Sequence, residues 1–319
     1  MALSLILLLL HGYVAWRLLP ALAAWPGWQA ALLATLFVSW LLMPLALWAR
    51  RMRRQPWSDR LAWVGLLLMG LFSSLFVLTL LRDLLLLPLA AVLWLRGGAQ
   101  AAALQWAQRS AALVPVLALL LTLWGLFNAR RTAEVVRVDV PIAQLPPALH
   151  GFTIAQISDV HVGPTIKHGY VSAIVERVNA LRADMVAVTG DLVDGSVLEL
   201  AHHVAPLAGL VSRHGTFFVT GNHEYYSGAH AWVTELRRLG LRVLMNEHVL
   251  LRHGEASLAL AGVADYSAHH FDAAHRSDPH AAIAGVPENA LVRVLLAHQP
   301  RSAAAAAQAG FHLQLSGHT

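Results

Sequence analysis

Met185-Val186-Ala187-Val188-Thr189-Gly190-Asp191-Leu192-Val193-Asp194 is an apolar run that breaks at a glycine and then presents two carboxylates three residues apart. Too short for a helix and bounded by a turn signal, Met185 to Thr189 reads as a buried strand. The same pattern recurs on both sides. Phe152 to Ile157 runs into Ser158-Asp159-Val160-His161, and Thr216 to Thr220 runs into Gly221-Asn222-His223-Glu224. Val292 to Ala297 runs into His298-Gln299, and Phe311 to Leu315 into Ser316-Gly317-His318-Thr319. Leu258 to Val263 is a further strand, while Tyr170 to Leu181, Ala229 to Leu239 and Arg301 to Ala309 have helical spacing. This is an α/β domain. In α/β sheets ligands bind at the carboxyl ends of strands, so these five tips are expected to converge.

The side chains at the tips narrow the ligand. Carboxylates, imidazoles and a carboxamide without sulfur suit borderline to hard divalent ions, Mn, Fe, Zn or Ni. The chain has no Cys, which excludes thiolate metal sites, disulfides and a Cys nucleophile. Asp-x-His alone is common and Gly-Asp-x-x-Asp alone is an ordinary turn, but all five tips in this order, each after an apolar strand, are hard to obtain by accident. More candidate ligands are present than one ion needs. With a carboxylate able to bridge, they point to two ions about 3.5–4 Å apart, an arrangement suited to phosphoester hydrolysis.

These motifs resemble the calcineurin-like metallophosphoesterase superfamily over about residues 150–319. Pro146-Pro147, Ile157-Ser158-Asp159-Val160-His161-Val162-Gly163-Pro164 and Leu315-Ser316-Gly317-His318-Thr319 resemble a membrane-associated bacterial branch of it, which includes enzymes acting on UDP-2,3-diacylglucosamine or other phosphodiesters. The resemblance implies a β-sandwich flanked by helices. It implies that Asp159 and His161 hold a first ion, that Asp191 bridges two, and that Asn222, His298 and His318 hold the second. It implies that His223 stands outside the ligand set, protonating the leaving oxygen or stabilising the transition state, with Asp194 orienting its imidazole. The chemistry is coherent, because two cations lower the pKa of a shared water so that hydroxide exists near neutral pH. A His with a reference pKa of about 6.5 can also lend a proton to a poor leaving group. The family motif continues as Gly-His-x-His, whose second His completes the first metal site. This sequence stops at Thr319, so the expectation is a chain cut short that also lacks the last strands of the sandwich.

The N-terminal region has different chemistry. Hydrophobic residues make up 57% of the 319 and charged residues 13%, against roughly 25% charged in an average soluble domain. That balance points away from a wholly soluble protein. Residues 1–131 carry eleven Arg against two acids, whereas residues 132–319 carry twelve basic residues against sixteen acidic ones. The net charge of +5 therefore belongs to the first region, the second is acidic, and nucleic acid is not an expected partner. Neither a Gly-rich phosphate loop nor a dinucleotide fingerprint is present.

A spanning helix needs about 20 mostly apolar residues. Residues 30–49, 61–81 and 110–129 meet that length, and 2–23 does so if Arg17 snorkels to the interface. Leu84 to Leu95 is too short to span; it either prolongs the preceding helix or lies in the interface. Four spans follow over 1–131, then a connector at 132–150 and the phosphoesterase domain at 151–319. Arg50, Arg51, Arg53, Arg54 and Arg60 crowd the loop after the second span, and Arg130, Arg131 and Arg137 follow the fourth. By the positive-inside rule both termini and the catalytic domain are cytoplasmic, whereas an independent span at Leu84 to Leu95 would move that domain to the other side. The resemblance to the bacterial branch implies an inner membrane.

The reading is thus a membrane-bound, dinuclear-metal phosphoesterase acting on a phosphodiester or pyrophosphate, lipid- or nucleotide-linked. The alternative is a membrane sensor or scaffold that keeps the metal-binding shell without catalysis. His202-His203, His269-His270, His275 and His280 read as solvated histidines, and Asp265 to Pro279 as a rim of the site mouth. Lys167 and His168 are candidates for a substrate phosphate, and Glu224 for a local structural acceptor.

Overall fold

The central strand of the catalytic region is apolar on both sides, and the two sides meet different neighbours. Val186 and Val188 pack toward helices, while Met185 and Ala187 pack toward a second sheet. The structure is a computed structural model describing residues 2–49, 55–95 and 100–318. It divides into two compact units, Met1–Arg131 and Thr132–Thr319.

The first unit consists of helices α1 (Ala2–Leu18), α2 (Pro26–Ala49), α3 (Trp57–Leu95) and α4 (Gln100–Arg130), with a 3-10 turn at Pro20–Leu22. All four are long and apolar enough to cross a membrane. Pro26 starts α2, where its missing N–H costs nothing. Leu84 to Leu95 prolongs α3, whose 39 residues at about 1.5 Å each exceed the roughly 30 Å of bilayer hydrocarbon. Val14, Leu18, Leu36, Phe72, Leu75, Val114 and Ala118 form the bundle core, and Leu9, Phe37, Leu85, Leu121 and Phe127 are exposed, as lipid-facing side chains are. Arg17 does not snorkel alone: it holds Asp83 through Nε at 2.6 Å and Nη2 at 2.9 Å. Tyr13 and Arg82 donate to the same carboxylate, and Arg82 also reaches Ser110 and the Ala107 carbonyl. Among the described residues, the buried charges Arg82 and Asp83 are partnered, as low-dielectric burial requires.

Arg50, Arg51, Arg53 and Arg54, four of the arginines that set the expected orientation, lie outside the described residues.

In the second unit, Val136, Val138 and Val140 of the connector are exposed and unpaired by any sheet. A 3-10 turn at Pro147–Leu149 then inserts Leu149 into the core between the sheets. There follow β1 (Ile154–Ile157), α5 (His168–Ala180), β2 (Met185–Val188), α6 (Val197–Val204), β3 (Thr216–Phe218), α7 (Asn222–Ser227), α8 (Ala229–Arg238) and β4 (Arg242–Val243). These strands form a parallel sheet in the order β1-β2-β3-β4. Then come β5 (Glu247–His253), β6 (Ala256–Gly262), α9 (Pro279–Ile283), β7 (Val292–Leu296), α10 (Ala303–Gln308) and β8 (Leu313–Leu315). The second sheet runs β5-β6-β7-β8, with an antiparallel β5/β6 hairpin and parallel pairs beyond it.

Side-chain alternation turns these sheets into four layers. Val171, Val175, Leu200, Val204, Trp232 and Leu236 seat α5, α6 and α8 on the first sheet. Phe217, Val219, Val249, Leu260 and Val294 fill the space between the sheets. Ala282 of α9 and Ala306 of α10 cover the outer face of the second sheet with Ala261 and Leu295. The sheets approach so closely at Gly262 that a Cβ there would collide with Leu244 and Val219. The strands expected from the sequence are present, most of them shorter by one or two residues; β4, β5 and the short helices α6, α7 and α9 were not foreseen.

Candidate metal centre

Each strand tip turns sharply, and the turn aims a polar side chain inward. Asp159, His161, Asp191 and His318 all sit at left-handed φ between 51° and 57°. These are four of the seven non-glycine residues with positive φ in the described chain. Such backbone costs about 1–3 kcal/mol per residue and persists where the surroundings over-determine it. The surroundings here are neighbouring tips. Asp159 N–H donates to the Gly190 carbonyl, and His161 N–H to the Asp191 carbonyl, each at 3.1 Å. His318 N–H donates to the Asp159 carboxylate at 3.2 Å. Gly221 lies so close to Asp191 that a Cβ would overlap its carboxylate.

Glu224 ties the second tip to the third. It is fully buried and accepts backbone N–H groups from Gly221 at 2.7 Å, Leu192 at 2.8 Å, Asp191 at 3.0 Å and Val193 at 3.3 Å. Complete burial outweighs those donors and pushes its carboxyl up to about 7. The expected role as a local structural acceptor matches this geometry. Glu224→Ala leaves several buried N–H groups unpaired at about 1–3 kcal/mol each, so thermal unfolding of the full chain in detergent moves down by several degrees. Glu224→Gln, which keeps an acceptor oxygen, recovers part of the loss; equal melting of all three proteins contradicts the linkage.

Three imidazoles share one orientation logic. His298 Nδ1 donates to the Thr189 carbonyl at 2.8 Å, His161 Nδ1 to Asp194 Oδ1 at 3.3 Å, and His223 Nδ1 to the same Asp194 oxygen. With Nδ1 carrying the proton, each Nε2 presents a lone pair. All three aim at Asp191 Oδ2, from 3.1 Å for His298, 3.8 Å for His161 and 4.0 Å for His223. His318 Nδ1 lies 3.1 Å from His298 Nε2. Asp191 Oδ1 is otherwise engaged, accepting from His223 N–H at 2.9 Å. In the neutral rings these lone pairs crowd one carboxylate oxygen, an arrangement that takes up a cation, whether a proton or a metal ion.

Asn222 supplies an independent sign: its Oδ1 is buried and has no hydrogen-bond partner, a costly state for an amide oxygen unless something binds it. Two ligand groups emerge, Asp159-His161-Asp191 and Asp191-His298-His318, and Asp191 belongs to both. The donors present fit divalent ions. Asp194 joins a third group with His161 and His223, so it orients two imidazoles where the sequence suggested one. Lys167 and His168, considered for a substrate phosphate, stand at the start of α5, where His168 stacks on His202 with ring centroids 5.1 Å apart. The Thr189 carbonyl was not foreseen, since any residue type supplies one.

Burial pulls the His298 pKa down, but the Asp191 carboxylate against its Nε2 prevails and holds it up to about 9. Its folded pKa is raised above the ordinary 6.5, so metal-free protein is stabilised by that proton below pH 6.5 and loses the contribution as pH rises through 9. Melting of the metal-free chain therefore falls between those values. An ion on Nε2 replaces the proton and flattens the profile; parallel profiles with and without metal contradict this placement.

Nitrogen and oxygen donors gathered at the strand tips of a two-sheet α/β domain make a candidate metal centre. Residues 152–319 match the calcineurin-like phosphoesterase family, and the chain belongs to it. Members of that family use divalent metals. A transmembrane protein with metallophosphoesterase domain from Bos taurus is 40% identical over 227 residues, covering 66% of this chain and 50% of the relative. A metallophosphoesterase of Campylobacter jejuni is 31% identical over 205 residues, covering 64% and 52%. The UDP-2,3-diacylglucosamine pyrophosphatase LpxG of Chlamydia muridarum is 28% identical over 104 residues, 32% of each chain. The chain spans about half the length of the first two relatives. Its four apolar helices mark it as a membrane protein.

Proposed function

We propose that this protein is a membrane-bound phosphoesterase with a dinuclear metal centre, hydrolysing a phosphodiester or pyrophosphate. The observation that carries the reading is Asp191, whose Oδ2 is the meeting point of three imidazole Nε2 atoms and whose carboxylate is common to both ligand groups. Asp159 and His161 with Asp191 would hold one ion; Asn222, His298 and His318 with Asp191 would hold the other. When bound, a pair of divalent cations, Mn, Fe, Zn or Ni, acidifies a water and neutralises charge growing on phosphoryl oxygens.

The chain's own groups do the rest. Asp194 and the Thr189 carbonyl keep the Nδ1 protons of His161, His223 and His298 in place, so each Nε2 keeps its direction. His223 is outside both ligand groups; with Nδ1–H held by Asp194, it acts as the acid in its doubly protonated form, giving the Nε2 proton to the departing oxygen. Asp194, accepting from His223 Nδ1, supports the positive charge on that ring while it carries the extra proton.

Attachment to a bilayer favours a substrate that partitions there, and the similarity to LpxG, named for a lipid-linked pyrophosphate, supports a lipid- or nucleotide-linked one. The four-span count puts both ends of the bundle on one side, and the arginines at its loops favour the cytoplasmic side; in a bacterial cell the membrane would be the inner one. Full-length protein in detergent with Mn2+ is expected to hydrolyse bis(p-nitrophenyl) phosphate and to lose activity on chelation. No turnover with any of Mn2+, Fe2+, Zn2+ or Ni2+ on phosphodiesters, pyrophosphates or nucleotides overturns the reading.

A further inference from the structure

A second convergence of metal donors lies on other elements. His230, in the first turn of α8, places Nε2 3.1 Å from Asp272 Oδ2. His275, closing a 3-10 turn at Ala273–His275, places its own Nε2 3.8 Å from the same oxygen. The rings of the two histidines are 4.9 Å apart, and the three ligand atoms all lie within 4.8 Å of one another. None of these residues belongs to the centre built on Asp191.

The donors around this oxygen are oriented as ligands are. Asp272 spends Oδ1 on the Ala274 N–H at 2.9 Å, which caps the turn and leaves Oδ2 between the imidazoles. The other nitrogen of His275, Nδ1, lies 3.0 Å from the Tyr225 hydroxyl. A proton on Nδ1 donated to that hydroxyl leaves the Nε2 lone pair facing Asp272, the arrangement in which an outer partner sets a ligand's tautomer. His275 is largely buried, with its side chain 19% exposed, whereas His230 is 75% exposed. One side of the cluster is therefore built in and the other opens to solvent. An exposed His–Asp pair by itself contributes little, and it does not account for two imidazoles directed at a single oxygen.

We propose that His230, Asp272 and His275 form a separate site for a borderline divalent ion, Zn2+ or a close analogue, with water completing the coordination. Two imidazoles and one carboxylate are a donor set that zinc favours, and an open side for solvent is characteristic of three-ligand sites. The bound ion joins α8 to the segment 268–275, two pieces of chain about forty residues apart. That segment carries Phe271, which packs on Tyr225 and Tyr226 with centroids 5.6 Å away, and Tyr226 packs edge-on against His223 at 5.3 Å. Occupancy thus fixes the aromatic edge beside the proposed acid. Of the histidines the sequence presents as solvated, His275 is the one with this structural engagement.

The test is zinc content of full-length protein in detergent after loading and removal of free ion. Wild type is expected to retain one equivalent more than either His230→Gln or Asp272→Asn, while Asp191→Asn loses ions from the other centre and keeps this one. His230 is mostly exposed, so His230→Gln is expected to fold whatever Asp272→Asn does. Hydrogen exchange of residues 268–275 is expected to slow on adding Zn2+ in wild type and to be unaffected in His230→Gln. Equal zinc content in wild type and His230→Gln, or exchange indifferent to Zn2+ in wild type, overturns the proposal without touching the Asp191 centre.

Discussion

Asp191→Asn is expected to abolish phosphodiester hydrolysis while leaving the fold intact. Asn is nearly the same size as Asp and tolerates the left-handed backbone that Asp191 adopts at φ 52°. Its amide oxygen can still accept from His223 N–H, so the third tip stays in place. What disappears is the negative charge on Oδ2, the atom toward which His161, His223 and His298 all point. Removing a group that merely supports a ligand costs roughly 10–100-fold in affinity or activity, and removing a shared ligand costs more because both ions are affected. Activity should fall beyond that range at any metal concentration, with an unchanged circular dichroism spectrum. Turnover within a few-fold of wild type would remove Asp191 from the mechanism. The same pair of proteins separates an enzyme from a non-catalytic metal-binding sensor, because a sensor shows no turnover for the variant to lose.

His223→Gln is expected to distinguish proton transfer from metal binding. General acid catalysis contributes typically about 10²–10⁴-fold, and most where the leaving group is a poor one. An alkyl phosphodiester, departing as a strongly basic alkoxide, should therefore slow by about that factor. A p-nitrophenyl ester, whose leaving group needs little protonation, should slow far less. Metal content should be unchanged, since His223 is not in either ligand group proposed for the ions. Equal losses on both substrates, or loss of an ion, would instead place His223 among the ligands.

Much of this was legible in the sequence because the chain punctuates itself. Short apolar runs such as Met185 to Val188 end at Gly190, Gly221 or within a residue or two of His298, and each break is followed by a donor. β5 was not legible: Glu247, His248, Arg252 and His253 make its ends polar, and only its antiparallel pairing with β6 makes it a strand. β4 has two residues and no pattern of its own. α7 begins at Asn222, directly beyond a run extended in the sequence reading to Thr220. Long-range pairing was hidden as well. Arg17 and Asp83 are 66 residues apart, so an arginine expected at the interface has its partner in another helix. Asp194 reads as the second acid of a turn motif, and only the fold shows it accepting from both His161 and His223.

Electron paramagnetic resonance of full-length protein loaded with Mn2+ tests most directly whether two cations share the Asp191 carboxylate. Ions joined through one ligand couple magnetically, so the wild type is expected to give the spectrum of a coupled pair and Asp191→Asn that of isolated ions at lower occupancy. A wild-type spectrum showing only isolated Mn2+, or no retained ion at all, would contradict the shared centre.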